Sequence, residues 1–228
     1  DVKALCQWAG SLALPSTHTT WFNFLASHDG IGLNPLRGIL PESEILSLVE
    51  KLQREGALVN WKNNPDGTRS PYEINVTYLD ALSLRDSSDD ERIARFILAH
   101  AVLLSFPGVP AVYIQSILGS RNDYEGVERL GYNRAINRKK YTAGQVDLEL
   151  NNKKSIRYQI YSRLSELIAI RRGESAFHPD SQAIFDAIGE HILKIVRVAE
   201  NGERMTALFN FSNKMQTIYG QTLFGREL

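Results

Sequence analysis

The sequence predicts an α/β fold: the C-terminal portion of a (β/α)8 TIM barrel, followed by a small antiparallel β domain. Three observations predict it. The apolar run Trp21-Phe22-Asn23-Phe24-Leu25-Ala26 stops at the polar tetrad Ser27-His28-Asp29-Gly30, as a parallel strand does when it delivers side chains to the carboxyl edge of a barrel. Helix-like and strand-like patterns alternate up to about residue 175. After that, Ile192 to Val198 and Met205 to Phe211 are short strand-like runs separated by Asn201-Gly202, a strong hairpin signal. The expected domains are therefore residues 1–174 and 175–228. Two strand–helix units cannot close a barrel of about eight strands. The remaining units are expected ahead of Asp1, and Gly220 to Leu228 offers no closing strand for the second domain.

The elements follow in order. Residues 1–14 read as a helix with Leu5, Trp8, Ala9 and Leu12 on one face, ended by Pro15. Residues 21–26 read as a buried strand. A helix from about Pro41 carries Ile45, Leu48, Val49 and Leu52 as its apolar stripe and ends at Gly56. Asn60 to Pro71 is rich in turn formers and reads as a long surface loop of the kind that builds sites. A short segment from Tyr72 to Leu82 follows.

Ser88-Asp89-Asp90-Glu91 is a capping box opening a helix over Ile93 to Ser105 that is apolar on nearly all sides. Pro107-Gly108-Val109-Pro110 then turns the chain into a second buried parallel strand, Ala111 to Ile114. Gly119 to Tyr141 is a polar excursion bearing Arg121, Arg129, Arg134, Arg138, Lys139 and Lys140. A last helix runs from about Ile156 to Arg171, with Ile160, Leu164 and Leu167 inward and Gly173 as its stop.

Composition narrows the function classes. The 228 residues are 43% hydrophobic and 23% charged, ordinary for a globular protein. Lys and Arg number 26 and so do Asp and Glu, so no global field favours nucleic acid or an anionic membrane. The apolar window Phe96 to Ile114 is interrupted by His100, Ser105, Pro107 and Pro110, which argues against a membrane span. A lone Cys6 forms no internal disulfide and fits a reducing, cytoplasmic setting.

Three groups of residues are candidates for chemistry. Asp29 is placed to stabilise positive charge developing on a sugar carbon, with His28 holding a hydroxyl. The plainer alternative is a loop aspartate bonding local backbone beside a satisfied histidine. The pair has no third ligand at useful spacing, so no metal is expected, and no cofactor is called for. The segment Arg134-Ala135-Ile136-Asn137-Arg138 suits hydroxyl or phosphate recognition, or else is a solvated basic loop. In the 60–77 stretch, Trp61 suits stacking on a sugar and Tyr72 suits hydrogen bonding to a ligand, or serves as a loop anchor.

Four stretches in order carry a resemblance: Phe22 to Gly32, Tyr72 to Tyr78, Phe106 to Tyr113 and Asn133 to Tyr141. Together they resemble the α-amylase superfamily, glycoside hydrolase family 13, and within it the sucrose phosphorylase branch. The resemblance implies that Asp29 is the transition-state-stabilising aspartate and His28 the sugar-binding histidine. It puts Arg134 at the glucose and phosphate site, with Asn137 and Arg138 in the same substrate-binding motif, and it makes Tyr72 a mobile-loop tyrosine. The family's nucleophilic aspartate and acid/base glutamate belong to earlier strands and have no counterpart here, so the 228 residues alone are expected to be inactive.

Where sucrose enzymes carry an aspartate and a glutamine around the loop tyrosine, this chain has Ser70 and Glu73, and Ala135 replaces another aspartate. With Leu36 to Pro41, the pattern is closer to the glucosylglycerate phosphorylases of the branch. Lys62 and Arg69 would then suit an anionic acceptor. The implied activity is glucosyl transfer between an α-glucoside, such as glucosylglycerate or sucrose, and inorganic phosphate. The alternatives are an α-glucosidase or transglucosidase of the same family, and a non-catalytic carbohydrate-binding module. Oligomeric state is not legible.

Overall fold

The computed structural model describes residues 1–16 and 18–218; the expectation for Gly220 to Leu228 lies outside them. Helix α1 (Val2–Ser11) starts at Asp1, whose carboxylate caps Lys3 and Ala4. It buries Val2 and Ala9, while Trp8 is exposed and Leu12 lies beyond the helix. Strand β1 (Phe22–Phe24) comes next, followed by the short β2 (Ile31–Gly32) and by α2 (Glu42–Arg54). Helix α2 has Ile45, Val49 and Leu52 inward, acids in its first turn and bases in its last, the arrangement its dipole favours.

Strands β3 (Leu58–Asn63) and β4 (Arg69–Asn75) form an antiparallel pair, and β2 joins the other edge of β4. The expected long loop over 60–71 is thus a hairpin. Its turn is Asn64 to Thr68, with Gly67 at φ +82° and Asp66 accepting from the Thr68 backbone. The turn formers of that stretch serve one tight reversal, and the polar residues around it are paired strand positions facing water. A single turn of helix, α3 (Tyr78–Ala81), then leads to α4 (Asp89–Ser105), opened by the reciprocal Ser88–Glu91 capping box.

Strand β5 (Val109–Ala111) lies parallel to β1, Phe22 opposite Val109 and Phe24 opposite Ala111. A parallel pair requires a crossover, and α4 is the helix that supplies it. The strand begins two residues earlier than expected and ends at Ala111, because Tyr113 already caps α5 (Ile114–Ile117). Burial also differs from expectation: Phe22 is 66% and Phe24 53% exposed, since among the described residues β1 has one hydrogen-bonded neighbour. The polar excursion contains α6 (Tyr124–Leu130), a 3-10 turn at Asn133–Asn137 and α7 (Ala143–Leu150). Helix α8 (Ile156–Gly173) packs Ile160, Leu164 and Leu167 on Ile93, Phe96, Ile97 and Leu104 of α4.

After residue 175 come β6 (Gln182–Ile188), β7 (Ile192–Val198) and β8 (Arg204–Asn210), an antiparallel meander in the order β6-β7-β8. Leu193, Ile195 and Phe209 pack with Val2 of α1, and Phe106 and Val102 close the same cluster from α4. Arg197 is fully buried there. It donates to the Ser105 carbonyl at 3.1 Å and to those of His178 and Ser181 at 2.8 and 3.2 Å. Burial first, and then the nearby Arg171 charge, pushes its pKa down to about 10. This arginine ties the third sheet to the end of α4. No helix among the described residues is long and apolar enough to cross a membrane.

Candidate active site

The site is built where β1 ends. Chain direction changes abruptly at Ser27 to Gly30: the Asp29 amide donates to Ser27 Oγ at 3.1 Å, which turns the backbone. Gly30 is required there. A Cβ at that position would run into the Ile74 carbonyl of β4 and lie within 2.8 Å of Glu73 Cγ. The close approach lets the Gly30 amide donate to Glu73 Oε1 at 2.7 Å.

The 133–137 turn supplies the other side. Asn137 Nδ2 donates to the Asp29 carbonyl at 2.8 Å and to that of Ser27 at 3.3 Å, and Arg138 Nε donates to the His28 carbonyl at 2.7 Å. The backbone of the tetrad is therefore clamped by side chains more than a hundred residues later. The Asp29 carboxylate receives two guanidinium groups on one oxygen. Arg134 Nη1 lies 2.8 Å and Arg138 Nη2 3.3 Å from Oδ1. Its other oxygen, Oδ2, lies 3.7 Å from His28 Nε2. The two imidazole and carboxylate side chains stay open, 69% and 41% exposed.

Glu73 is placed differently. Its carboxylate is 4% exposed and accepts from Arg134 Nε at 3.0 and 3.1 Å, from Asn60 Nδ2 at 2.9 Å and from the Gly30 amide. Asn133 Nδ2 bonds Asn60 Oδ1 at 2.8 Å and so braces the same network. The hydrogen bond to Glu73 is the main reason the Arg134 pKa is raised, with the charges of Glu73, Asp29 and Tyr72 adding to it. A residue so engaged by the protein holds Arg134 across to Asp29. Burial and protein donors give Glu73, expected among the substrate-binding residues, a supporting position behind Arg134.

Tyr72 follows on β4, half-buried, its carbonyl accepting from the Leu33 amide at 2.9 Å and its phenol within electrostatic reach of Arg134. Of the seven expected site residues, the structure brings Asp29, His28, Arg134, Asn137 and Arg138 into one cluster. It sets Glu73 behind them and Tyr72 at their edge. Trp61, Lys62 and Arg69 lie exposed on the hairpin.

A cavity of about 390 Å³ opens beside Asp29, bounded also by Ser27, Tyr78, Tyr113 and Asn137. Tyr113 donates to the Asn137 carbonyl at 3.3 Å, while Asn137 Oδ1 is buried with no protein donor among the described residues. Burial pushes the Tyr78 phenol up to about 12, so it is a hydrogen-bond donor at neutral pH. A cavity with a carboxylate at its mouth and amide and hydroxyl groups on its walls suits a neutral polyhydroxy ligand. Sequence reasoning missed Asn60 and Asn133, which never touch Asp29. Their one signal was polarity in a stretch that then read as loop.

Comparison with known proteins gives relatives along the whole chain. It is 66% identical over 228 residues to the glucosylglycerate phosphorylase of Escherichia coli (strain K12), covering 100% of this chain and 41% of that protein. It is 41% identical to the glucosylglycerate phosphorylase of Allomeiothermus silvanus, covering 96% of this chain and 39% of the relative. It is 31% identical to the sucrose phosphorylase of Agrobacterium vitis, covering 85% and 38%. The chain thus spans about two-fifths of the length of the curated relatives it matches. No family model matches it. Among solved structures, the sucrose 6F-phosphate phosphorylase from Thermoanaerobacter thermosaccharolyticum aligns with a TM-score of 0.59 at 24% identity, covering 82% of this chain and 40% of that one, which supports the fold class. The expected resemblance holds: this chain is similar to part of the glucosylglycerate and sucrose phosphorylases.

Proposed function

We propose, from this kinship with glucoside phosphorylases, that the chain supplies the Asp29 side of a retaining phosphorylase site that transfers glucose between an α-glucoside and inorganic phosphate. Glucosylglycerate is the favoured substrate. The observation that carries the reading is the convergence of Arg134 and Arg138 on a single oxygen of Asp29 beside a cavity whose largely apolar wall also presents Ser27, Tyr78, Tyr113 and Asn137.

The chemistry follows from that asymmetry. Cleavage of a glucosidic bond passes through an oxocarbenium-like state, whose positive carbon is stabilised by a nearby fixed carboxylate. Two guanidinium groups fix Oδ1 and leave Oδ2 turned toward solvent and His28. The free oxygen can face the sugar ring, and His28 can accept or donate to a ring hydroxyl. The outer nitrogens of Arg134 and Arg138 are suited to phosphate oxygens, and Tyr72, Asn137 and the cavity hydroxyls to glucose hydroxyls. The two carboxyl groups that a retaining mechanism needs for covalent capture and proton transfer come, on this reading, from polypeptide outside the 228 residues.

Residues 1–174 form the barrel part and 175–228 the antiparallel domain, a boundary supported by the start of β6 just after it. The unpaired Cys6 thiol supports a cytoplasmic setting. The test is phosphorolysis by the intact protein that contains this chain, with glucosylglycerate and sucrose as separate substrates. Glucose 1-phosphate formed faster from glucosylglycerate, and abolished by Asp29→Asn, is expected. Free glucose as the main product would instead mark a hydrolase, and a preference for sucrose would overturn the substrate. Turnover by the 228 residues alone would overturn the division of catalytic groups.

A further inference from the structure

A second concave surface shares no lining residue with the Asp29 cavity. It encloses about 300 Å³ between the end of α2, α3, the 83–88 turn and the start of α6. Three arginines, Arg85, Arg92 and Arg121, and two carboxylates, Glu55 and Asp80, line it.

The carboxylates do not neutralise it. Asp80 is fully engaged: Oδ1 accepts from Arg92 Nη1 at 3.3 Å and Arg121 Nε at 2.5 Å, while Oδ2 accepts from the Asn122 amide at 2.7 Å and Thr77 Oγ1 at 3.2 Å. Arg92 is 3% exposed and fans its Nη2 over the carbonyls of Leu84, Arg85 and Ser87, which fixes the turn that carries Arg85. Glu55 Oε2 pins the same turn by accepting from the Arg85 amide at 2.8 Å. Burial first, and then the charge of Arg121, pushes the Arg92 pKa down, against the opposing charges of Asp80 and Asp89.

Two groups of donors remain. The Arg85 guanidinium and both Nη atoms of Arg121 have no protein acceptor among the described residues. Tyr124 completes the wall, its hydroxyl donating to the Gly56 carbonyl at 3.0 Å and accepting from Asn122 Nδ2 at 3.2 Å. Gly56 keeps the space open. At φ +104° it adopts a conformation that side chains avoid, and a Cβ there would collide with the Tyr124 hydroxyl and lie 3.1 Å from Arg85 Nη2. One unengaged guanidinium fork, that of Arg85, and the outer Nη pair of Arg121, whose Nε is held by Asp80, offer donors on a braced concave wall that match phosphate oxygens.

The geometry points to a phosphate-binding pocket separate from the Asp29 site, in which Arg85 and Arg121 grip a small phosphate-bearing ligand. Two sources share that chemistry: free inorganic phosphate, and a phosphate monoester of a polyol or sugar. The Glu55 carboxylate adds an acceptor that an ester's hydroxyl would use and a bare phosphate dianion would not.

Calorimetric titration of the protein with inorganic phosphate and, separately, glycerol 3-phosphate tests the pocket. The variants are Arg85→Gln and Arg121→Gln here, and Arg134→Gln as the control at the Asp29 site. Removal of either pocket arginine is expected to weaken binding of the preferred probe by about tenfold, the scale of one lost charge-assisted pair, while Arg134→Gln leaves that binding in place. Arg85 holds no protein acceptor, so its variant keeps the parent melting temperature and isolates the effect from folding. Tighter binding of glycerol 3-phosphate assigns the pocket to an ester, and equal or weaker binding to free phosphate. No binding of either probe at millimolar concentration, or affinities unchanged in Arg85→Gln and Arg121→Gln, would overturn the proposal. Loss of phosphate binding in Arg134→Gln alone would overturn it too, by assigning all binding to the other site.

Discussion

Replacing Glu73 is the sharpest perturbation of the network behind Asp29. Its buried carboxylate accepts from the Gly30 amide, Asn60 and the Arg134 side chain at 2.7 to 3.1 Å. Hydrogen bonds to a charged group contribute about 1.5–3 kcal/mol each, and removing one member of a buried ion pair costs about 3–5 kcal/mol. Arg134 is 39% exposed and regains water when Glu73 is lost, so the low end applies. Glu73→Ala should therefore destabilise by about 3 kcal/mol. For a chain of this size that is a fall in melting temperature of about 6–12 °C. Glu73→Gln keeps the shape and one acceptor oxygen but turns an amide toward Asn60 Nδ2, and should lie between parent and Glu73→Ala. Calorimetric melting of the three proteins measures both. A Glu73→Ala protein melting within about 2 °C of the parent would show that this carboxylate does not hold the site together.

Other consequences can be checked in the same way. His100 is buried in α4 against Phe96 and Tyr78, and desolvation pushes its pKa down from 6.5 to about 4, although its bond to the Phe96 carbonyl opposes this. Between those values the unfolded chain binds a proton that the folded chain refuses, so stability falls as pH drops from 6.5 toward 4, by about 3 kcal/mol in all. Urea unfolding across that range should show the slope, and His100→Gln should flatten it. Gly30→Ala should loosen the β2–β4 pairing, because its Cβ has no space against Ile74; amide exchange at Ile31 and Gly32 would rise, and unchanged protection would count against the packing argument. Arg197→Met should lower stability, since the buried Ser105 carbonyl loses its donor at about 1–3 kcal/mol, and the half-buried bonds to His178 and Ser181 go with it. A neutral result in urea unfolding would deny Arg197 its role in tying β7 to α4.

The fold was most legible where local chemistry and packing agree. The Ser88–Glu91 capping box, the α2 stripe of Ile45, Val49 and Leu52, and the hairpin across Asn201-Gly202 each carry their own signal and each formed. The 60–71 stretch misled because its strands are polar on both sides of a tight turn, so neither alternation nor apolar content marks them. Its register is set by pairing with β4 and by the Asn60–Glu73 contact, which are long-range facts. Asp29 stood out because a carboxylate after an apolar run is locally odd. The arrangement of its partners did not, because Arg134 reaches Asp29 through a turn whose geometry depends on Asn133, Asn60 and Glu73 together. Burial of Glu73 is the clearest case: sequence gives a glutamate, and only the surrounding donors make it interior.

Charge balance sets the remaining constraint on how this site handles anions. Asp29 and Glu73 oppose Arg134 and Arg138, two carboxylates against two guanidiniums, so the cluster as it stands is neutral. A neutral cluster can meet phosphate through the outer nitrogens of its arginines, but a second anion such as glycerate gains net attraction from cations beyond it. On the proposed reading these are Lys62 and Arg69, exposed on the hairpin at its turn end. Among the described residues neither forms an ion pair with Asp29 or Glu73, so on that reading their removal leaves the Asp29 clamp in place. Lys62→Gln with Arg69→Gln in the intact protein should then raise the KM for glucosylglycerate several-fold, with each exposed charge contributing up to about 1 kcal/mol, and leave kcat near parent. The effect should shrink as salt rises, because exposed charges are screened over about 10 Å at 0.1 M. An unchanged KM at low salt would mean that the acceptor's charge is met by Arg134 or Arg138 instead, which requires one of them to release Asp29 when the substrate binds.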